Sequence, residues 1–324
     1  MQSGRMLVNK TVVSGQDDKI YEQMLSTSPS ALLLKDLYAR MLLTRIVDDC
    51  AWRMHDLSYI DFSASCRGHE AAQVGSAICI EVGKDFTLPY SRDLGVMLTI
   101  GMTPYEVFRN YLQTYACGKA SASAQELHWG YHKHNTVTGP TPMATQILHA
   151  AGIAFACKLR KAHVVTIAYY SDGVSAEADF REGIHFAALH QLPVIFICED
   201  DGTRASSASS CTQKIDLPEG LARQRIDGAD IIEVYTTMQA AMQHTREGHG
   251  PILLELSVTR SAPAERATCV EDARDGDEAD PLARCQQYLQ EQGMWDEAWA
   301  AQLHTHYTLE VERAMQDAIR DTLF

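Results

Sequence analysis

The chain has 324 residues, of which 46% are hydrophobic and 22% are charged, and its formal net charge is −14 at pH 7. This length and hydrophobic content suffice for one large globular domain or two small ones, and the acidic balance argues against nucleic acid or an anionic membrane surface as a partner. No stretch has the apolar length of a membrane span or the apolar core of a signal peptide, and the nine cysteines are spaced singly, so we expect a cytoplasmic protein with reduced thiols.

The N-terminal part of the chain is predicted to be an arm followed by helices. Residues 1–28 are polar and weakly patterned, which favours an N-terminal arm. Apolar residues recur at helical spacing over residues 31–55, and a second helix is predicted over 69–82. A third helix is predicted over residues 104–115, with Thr103 as its N-cap and Pro104 at its first position.

The central part of the chain alternates predicted strands and helices. Short β-branched and aromatic runs predict four strands, over residues 163–170, 192–198, 229–235 and 251–258. Helical patterns lie between the first two strands and between the last two, over residues 175–190 and 237–246. This alternation predicts right-handed βαβ units, and therefore an α/β fold in which a parallel sheet carries helices on both faces.

The last part of the chain is predicted to be a loop followed by helices. Residues 264–280 are charged and poor in large apolar side chains, which is typical of a surface loop. Helical periodicity resumes at Leu282. We therefore expect residues 29–324 to form a single α/β domain that ends in a helical region over about residues 281–324.

Acidic residues follow two of the predicted strands. Asp172 follows the first strand, and Asp200 and Asp201 follow the second. A βαβ unit places the carboxyl ends of its strands side by side, where open parallel sheets bind their ligands. Carboxylate oxygens there, beside helix N-termini, would suit Mg²⁺ or Ca²⁺ holding a diphosphate. The alternative is that these acids only cap helices and close turns.

Several segments of the chain resemble, in order, the alpha subunits of the thiamine-diphosphate-dependent 2-oxoacid dehydrogenases, with the branched-chain type nearest. Residues 171–202 resemble the thiamine diphosphate motif of that family, written as G[DE]G followed further along by NN. Further blocks of the family match CRGHEAAQVGSAI at 66–78, LPYSRDLGVMLTIGMTP at 88–104, HNTVTGPTPMATQILHAAGIA at 134–154, RIDGADIIEVY at 225–235 and DPLARCQQYLQEQGMWDE at 280–297.

The resemblance implies a thiamine-diphosphate-binding fold with thiamine diphosphate and Mg²⁺ as cofactors. The implied metal ligands are Asp172, Asp201 and the backbone carbonyl of Thr203. Arg92 would bind the diphosphate, as a planar guanidinium suits phosphate, and Met143 would contact the cofactor rings. His128 matches a family histidine near the cofactor and is the predicted catalytic residue. The full set of implied cofactor-binding residues is Ser91, Arg92, Thr141, Met143, Ser171, Asp172, Gly173, Val174 and Asp201.

Two of these positions also have plainer interpretations. Arg92 could form a surface salt bridge with Asp93, and Thr141 with Pro142 would make an ordinary helix start. The spacing of the histidines at 128, 132 and 134 could suggest zinc, but the sequence offers no fourth ligand.

The chain departs from the family pattern in four places, counting Asp200-Asp201 as one, and these concentrate at the implied site. Ser171 replaces glycine, Asp200-Asp201 replaces Asn-Asn, Ser91 replaces tyrosine, and Ala264 replaces a histidine. An added carboxylate beside an anionic diphosphate should make cofactor binding either weaker or more dependent on metal. Ala264 has no proton to offer, so the step that the family histidine assists is expected to suffer.

The resemblance implies decarboxylation of a 2-oxoacid, a branched-chain acid first, with acyl transfer to a lipoyl group. It also implies two protein partners: a beta subunit, which would complete the site in an α2β2 heterotetramer, and a lipoyl acyltransferase. Two alternatives stay open from the sequence. One is a catalytically impaired paralogue with a structural or regulatory role, and the other is a thiamine-dependent carboligase or acetoin-cleaving enzyme.

Overall fold

Parallel strands form one sheet in the part of the chain that the structure describes. This computed structural model describes residues 29–60, 65–121, 127–139, 142–174, 177–201, 217–259 and 280–323. The strands are β1 (Phe86–Leu88), β2 (Thr166–Ser171), β3 (Val194–Asp200), β4 (Ala222–Asp227) and β5 (Ile252–Ser257). Their order in the sheet is β1-β2-β3-β5-β4, and each neighbouring pair is parallel, so the predicted α/β fold is confirmed.

Helices precede, connect and follow the strands. In the described residues they are α1 (Ala31–Asp56), α2 (Glu70–Ala77), α3 (Leu94–Thr99), α4 (Pro104–Ser121), α5 (Met143–Leu159), α6 (Ala178–Leu189), α7 (Ile231–Arg246), α8 (Pro281–Glu291) and α9 (Glu297–Leu323). None of the helices in the described residues combines the length and the apolar character that a membrane span requires.

The central strands are buried on both faces. Successive side chains along a strand point to opposite faces of the sheet, so each strand contributes to two apolar clusters. Ile167 and Ile195 belong to an apolar cluster with residues of α1, α3, α4 and α7. Ala168 and Phe196 belong to a second cluster with residues of α5 and α6. Helices therefore cover both faces of the sheet, as predicted, and this explains why β2 and β3 are apolar almost throughout.

The unit β2-α6-β3 brings two strand ends together. Thr166 pairs with Val194 at one end of the two strands, and Ser171 pairs with Glu199 at the other. The predicted βαβ unit is therefore present, with α6 slightly shorter than the helix predicted over 175–190. Asp172 and Asp201 follow these paired ends directly.

The strand predicted over residues 229–235 is wrong, because residues 231–235 form the start of helix α7 and Asp230 is its N-cap. Asp230 caps this helix by accepting hydrogen bonds from the backbone N–H groups of Ile232 and Glu233, at 2.9 and 3.1 Å. The neighbouring strand is β4, an edge strand that is mostly polar and half-exposed. Its arginines reach the next strands, with Arg223 bound to Glu255 at 2.7 Å, so the apolar alternation that marks a strand is absent.

The other boundaries agree with the predictions to varying degrees. The first predicted helix is confirmed as α1, whereas α2 ends at Ala77 rather than at residue 82. Thr103 caps α4 as predicted: its Oγ1 accepts from the backbone N–H of Glu106 at 3.3 Å. Helices α8 and α9 confirm the helical C-terminal region. The arm over 1–28 and the loop over 264–279 lie outside the described residues, and the single domain over 29–324 stays a prediction.

Helices α5 and α6 pack closely at Gly183, where a methyl group would lie 2.8 Å from Ile147 Cγ2 and 3.2 Å from the backbone nitrogen of Leu148. We expect Gly183→Ala to lower the free energy of unfolding by about 1–3 kcal/mol, since overpacking displaces side chains and backbone. The matched control is Gly152→Ala on α5, where nothing lies within 4 Å. It should raise the free energy of unfolding by about 0.5–1 kcal/mol, because alanine favours helix interiors. Urea unfolding of the isolated chain measures the free energy of unfolding of both variants. If both variants changed it in the same direction, the close packing at Gly183 would be contradicted.

Candidate active site

The two acids predicted to bind metal lie at neighbouring strand ends. Asp172 follows β2, begins a short 3-10 turn and is buried. Asp201 follows β3, and only 4% of its side chain is exposed. Since Ser171 is paired with Glu199 in the sheet, the two acids leave the same edge. The structure therefore places the two predicted side-chain ligands after neighbouring strand ends, whereas Thr203 lies outside the described residues.

Arg92 reaches this edge from residues 89–93 between β1 and α3, which we call the Arg92 turn. Its Nη1 lies 3.6 Å from Asp201 Oδ2, and 16% of its side chain is exposed. Burial lowers the pKa of the Arg92 guanidinium, but nearby groups that include Glu199 and Asp201 raise it to a net value above the usual one. The Nε atom of Arg92 is buried and has no hydrogen-bond partner in the described residues. A charged donor thus faces the acids with hydrogen-bonding capacity to spare.

The surface salt bridge considered for Arg92 and Asp93 is not the observed arrangement. Asp93 is fully buried, and its Oδ2 accepts from the backbone N–H of Tyr90 at 2.8 Å. Burial and the charge of Glu199 raise the pKa of Asp93 well above its usual value. Arg92 is instead paired with Asp201 across the strand ends.

Both carboxylates that replace the asparagines of the family motif have arginine partners. Asp200 Oδ2 lies 3.2 Å from Arg225 Nη2 on β4, and Asp201 is paired with Arg92. Arg225 lies on β4 and Arg92 lies in the turn after β1, so each acid has its own arginine partner. The added negative charge at this site is therefore offset locally, which reduces the repulsion expected against an anionic ligand.

Met143 lies beside the end of β2, where the family resemblance places the cofactor rings. It is the first residue of α5, after Pro142 at the N-cap. Its Sδ atom lies 3.4 Å from the backbone nitrogen of Ser171 and 3.7 Å from the Ser171 hydroxyl. Helix α5 therefore does begin at this position, while Thr141 lies outside the described residues. Beyond Ser171 and Asp172, Gly173 is half-buried and Val174 is buried in the apolar cluster under α6.

The segment that carries His128 lies beside the Arg92 turn. The indole N–H of Trp129 donates to the backbone oxygen of Ser91 at 3.0 Å. The backbone oxygen of His128 accepts from Asn110 Nδ2 at 3.2 Å, and the imidazole is half-exposed. His128 and Ser91 are thus near each other in the fold, although they are far apart in the sequence.

A buried polar network beneath Arg92 was not predicted from the sequence. One oxygen of Glu199, Oε2, lies 2.6 Å from His69 Nδ1 and accepts from Tyr90 Oη at 2.8 Å and from Gln73 Nε2 at 3.2 Å. All four side chains are buried. The signal that the sequence offered for this network was Glu199, an acid that directly follows the apolar run of β3. Because Tyr90 turns inward to Glu199, it does not take the place of the tyrosine that Ser91 replaces.

The donor set at this edge fits a magnesium-bound diphosphate. Carboxylates at two strand ends supply the hard oxygen ligands that Mg²⁺ prefers, and Arg92, which is paired with Asp201, supplies a guanidinium that suits phosphate. No group of three or more histidine, cysteine or acidic side chains that could hold a metal is present in the described residues. A site at this edge therefore needs further oxygen ligands, from the backbone or from the diphosphate itself.

Comparison with known proteins gives a consistent result. The family described as the dehydrogenase E1 component matches residues 38–323. The 2-oxoisovalerate dehydrogenase subunit alpha of Bacillus subtilis is 33% identical over 298 residues, which cover 88% of this chain and 86% of the relative. The 3-methyl-2-oxobutanoate dehydrogenase subunit alpha of Mycobacterium tuberculosis is 30% identical, with coverage of 89% and 78%. The pyruvate dehydrogenase E1 component subunit alpha of Staphylococcus aureus is 28% identical, with coverage of 88% and 78%.

Proposed function

The chain belongs to the dehydrogenase E1 component family, and on that premise we propose that it is the alpha subunit of a thiamine-diphosphate-dependent 2-oxoacid dehydrogenase of the branched-chain type. The observation that carries the proposal is the convergence of Arg92, Asp172 and Asp201 at one edge of the parallel sheet. Relatives named for 2-oxoisovalerate and 3-methyl-2-oxobutanoate support a branched-chain substrate, and a relative named for pyruvate supports the wider class.

Each residue at the edge has a distinct proposed task. Asp172, Asp201 and the backbone carbonyl of Thr203 would hold Mg²⁺, and Arg92 would bind the diphosphate. Ser91, Thr141, Met143, Ser171, Gly173 and Val174 would line the rest of the cofactor site. When bound, thiamine diphosphate supplies the electron sink for loss of carbon dioxide from a 2-oxoacid. His128, half-exposed beside the Arg92 turn, would hold or release a proton at its imidazole.

The proposed assembly contains more than this chain. A beta subunit in an α2β2 heterotetramer would complete the site, and a lipoyl acyltransferase would accept the acyl group. We place this assembly in the cytoplasm. A catalytically impaired paralogue is less well supported, because Asp200 and Asp201, which replace the family asparagines, each have an arginine partner that offsets the added charge. A carboligase or acetoin-cleaving enzyme has no observation of its own in its favour.

The test is decarboxylation of 2-oxoacids by the chain purified together with its beta subunit, followed with an artificial electron acceptor. We expect kcat/KM for 3-methyl-2-oxobutanoate to exceed that for pyruvate by about 10-fold or more, since a pocket gains this much from each added methylene or methyl group. A preference for pyruvate would reassign the substrate within the class. Cofactor binding without decarboxylation of any 2-oxoacid would contradict the proposed reaction.

A further inference from the structure

The side chain of Gln73 connects the Arg92 turn to strand β3. Its Nε2 donates to the backbone oxygen of Arg92 at 3.1 Å and to Glu199 Oε2 at 3.2 Å. Its Oε1 accepts from the backbone N–H of Gly95 at 2.9 Å. One amide on α2 therefore binds the backbone of the Arg92 turn, the first turn of α3 and strand β3.

Gln73 is fully buried, in a helix whose residues are all buried. Burial of an amide costs free energy unless its hydrogen bonds are made, so an apolar side chain would be the simpler choice for packing alone. Here both ends of the amide have partners, and these partners belong to the Arg92 turn, to the first turn of α3 or to β3. The Gln73 amide is satisfied at both ends, and buried hydrogen bonds of this kind favour a single arrangement of the groups that they join.

Arg92 depends on that arrangement for the position of its guanidinium. Its backbone oxygen is held by Gln73, its Cζ atom lies 5.9 Å from the ring centre of Tyr90, and its Nη1 reaches Asp201 at 3.6 Å. We propose that Gln73 is a positioning residue that fixes Arg92 for contact with the cofactor diphosphate. The inference rests on the proposed function, since it assumes that Arg92 binds that group.

Gly95 offers an independent way to disturb the same contact. A methyl group at Gly95 would lie 2.9 Å from Gln73 Oε1 and 3.0 Å from Gln73 Cβ. Gly95→Ala should therefore displace Gln73 without removing its amide. If Gln73 positions Arg92, Gly95→Ala and Gln73→Met should weaken cofactor binding in the same way, although the two changes lie on different helices, α3 and α2.

The experiment is a double-mutant cycle on thiamine diphosphate affinity, measured by calorimetry on the full chain purified with its beta subunit. Gln73→Met keeps the length of the side chain and removes its amide. We expect it to raise Kd about 10-fold in the parent, and by less than about 2-fold in an Arg92→Ala background, because the lost interaction acts through Arg92. Equal effects in both backgrounds, or no effect in the parent, would overturn the positioning role.

Ser76→Ala is the matched control for loss of a buried polar group on α2. The Ser76 hydroxyl donates to the backbone oxygens of Ala72 at 2.6 Å and Gln73 at 3.2 Å and lies 3.0 Å from Tyr169 Oη, and within the described residues no hydrogen bond joins it to the Arg92 turn or to the Gln73 amide. It should leave Kd for thiamine diphosphate unchanged within about 2-fold. An increase as large as that of Gln73→Met would mean that any loss on α2 weakens binding, and this would also overturn the proposal.

Amide hydrogen exchange separates this inference from the proposed function, because it needs no cofactor. In Gln73→Met the Gly95 N–H loses its acceptor, so we expect its exchange to accelerate by about 10-fold or more while the amides of β3 keep their protection. If the parent binds no thiamine diphosphate but the turn loosens, the structural link stands and the proposed function falls. Unchanged exchange at Gly95 would overturn the link itself, whatever the cofactor does.

Discussion

Replacement of Asp172 by alanine is expected to weaken Mg²⁺-dependent binding of thiamine diphosphate by at least about 100-fold. Asp172 lies at the carboxyl end of β2, beside the strand end that carries Asp201, and is one of two acids proposed to contact the metal. Its removal takes away a hard anionic ligand that the remaining acid cannot replace. Even residues that only hydrogen-bond to metal ligands change metal affinity by about 10-fold to 100-fold, so loss of a ligand itself should cost at least as much. Calorimetric titration of the chain with its beta subunit measures the loss.

The matched control for this variant is Asp227→Ala. Asp227 also lies at the carboxyl end of a strand, but it belongs to β4 and pairs with Arg284 at 2.7 Å, away from Arg92. It should leave Kd for the cofactor within about 3-fold of the parent. If Asp172→Ala bound the cofactor as well as Asp227→Ala does, Asp172 would not be a metal ligand.

The stability of the chain is expected to fall as the pH rises through the range in which Asp48 ionises. This residue is fully buried on α1, and its carboxyl accepts from Ser65 Oγ at 2.7 Å and from the backbone N–H of Cys66 at 3.0 Å. Burial raises the pKa of Asp48 from 3.8 to about 6, against the opposing effect of these two hydrogen bonds. The folded state therefore binds the proton more tightly than the unfolded state does.

The sign follows from this difference in proton binding. Below pH 3.8 both states are protonated and the contribution of Asp48 to stability is fully present, and it is lost as the pH rises through about 6. The loss amounts to about 3 kcal/mol over the whole range, and to about 1.4 kcal/mol between pH 5 and pH 7.5.

Urea unfolding at several pH values measures this slope in the parent and in Asp48→Asn. The variant carries no ionisable group at this position. Between pH 5 and pH 7.5 its free energy of unfolding should therefore fall by about 1.4 kcal/mol less than that of the parent. Asp36→Asn, on an exposed and ion-paired position of the same helix, should keep the slope of the parent. Parallel curves for the parent and Asp48→Asn would show that Asp48 does not titrate in this range.

The sequence predicted the centre of the sheet well and its edge poorly, for a physical reason. β2 and β3 are covered on both faces, so their β-branched apolar runs stand out from the helices around them. β4 lies at the edge and holds its place with arginines that bind acids on neighbouring strands, so it carries no apolar signal. The apolar run over 229–235 was taken for a strand, although Asp230 before Ile231 is a typical helix N-cap.

The candidate site was predictable where it follows strand ends and unpredictable where it depends on distant partners. Asp172 and Asp201 follow the two strands of one βαβ unit, and this pattern is local enough to be visible in the sequence. Arg92 came only from the resemblance, and its pairing with Asp201 came only from the structure. The contacts of Glu199 with His69 and Gln73 join residues 130 and 126 positions apart, and no periodicity or spacing encodes them.

The departures from the family motif are also easier to interpret with the structure. From the sequence, Asp200-Asp201 added two negative charges beside an anionic cofactor. In the fold, each carboxylate has an arginine within 3.6 Å, and the two arginines lie on separate elements. We therefore expect the site to tolerate these acids, and we expect Mg²⁺ to compete with Arg92 for Asp201 when the metal binds.

The most direct test of the central claim is a calorimetric titration of thiamine diphosphate into the chain purified with its beta subunit, with Mg²⁺ and with a chelator. The convergence of Arg92, Asp172 and Asp201 predicts saturable binding in the micromolar range with Mg²⁺, weakened by about 10-fold or more when the metal is removed. Absence of binding at millimolar cofactor, with or without Mg²⁺, would contradict the account and leave a chain that keeps the fold of its family without its cofactor.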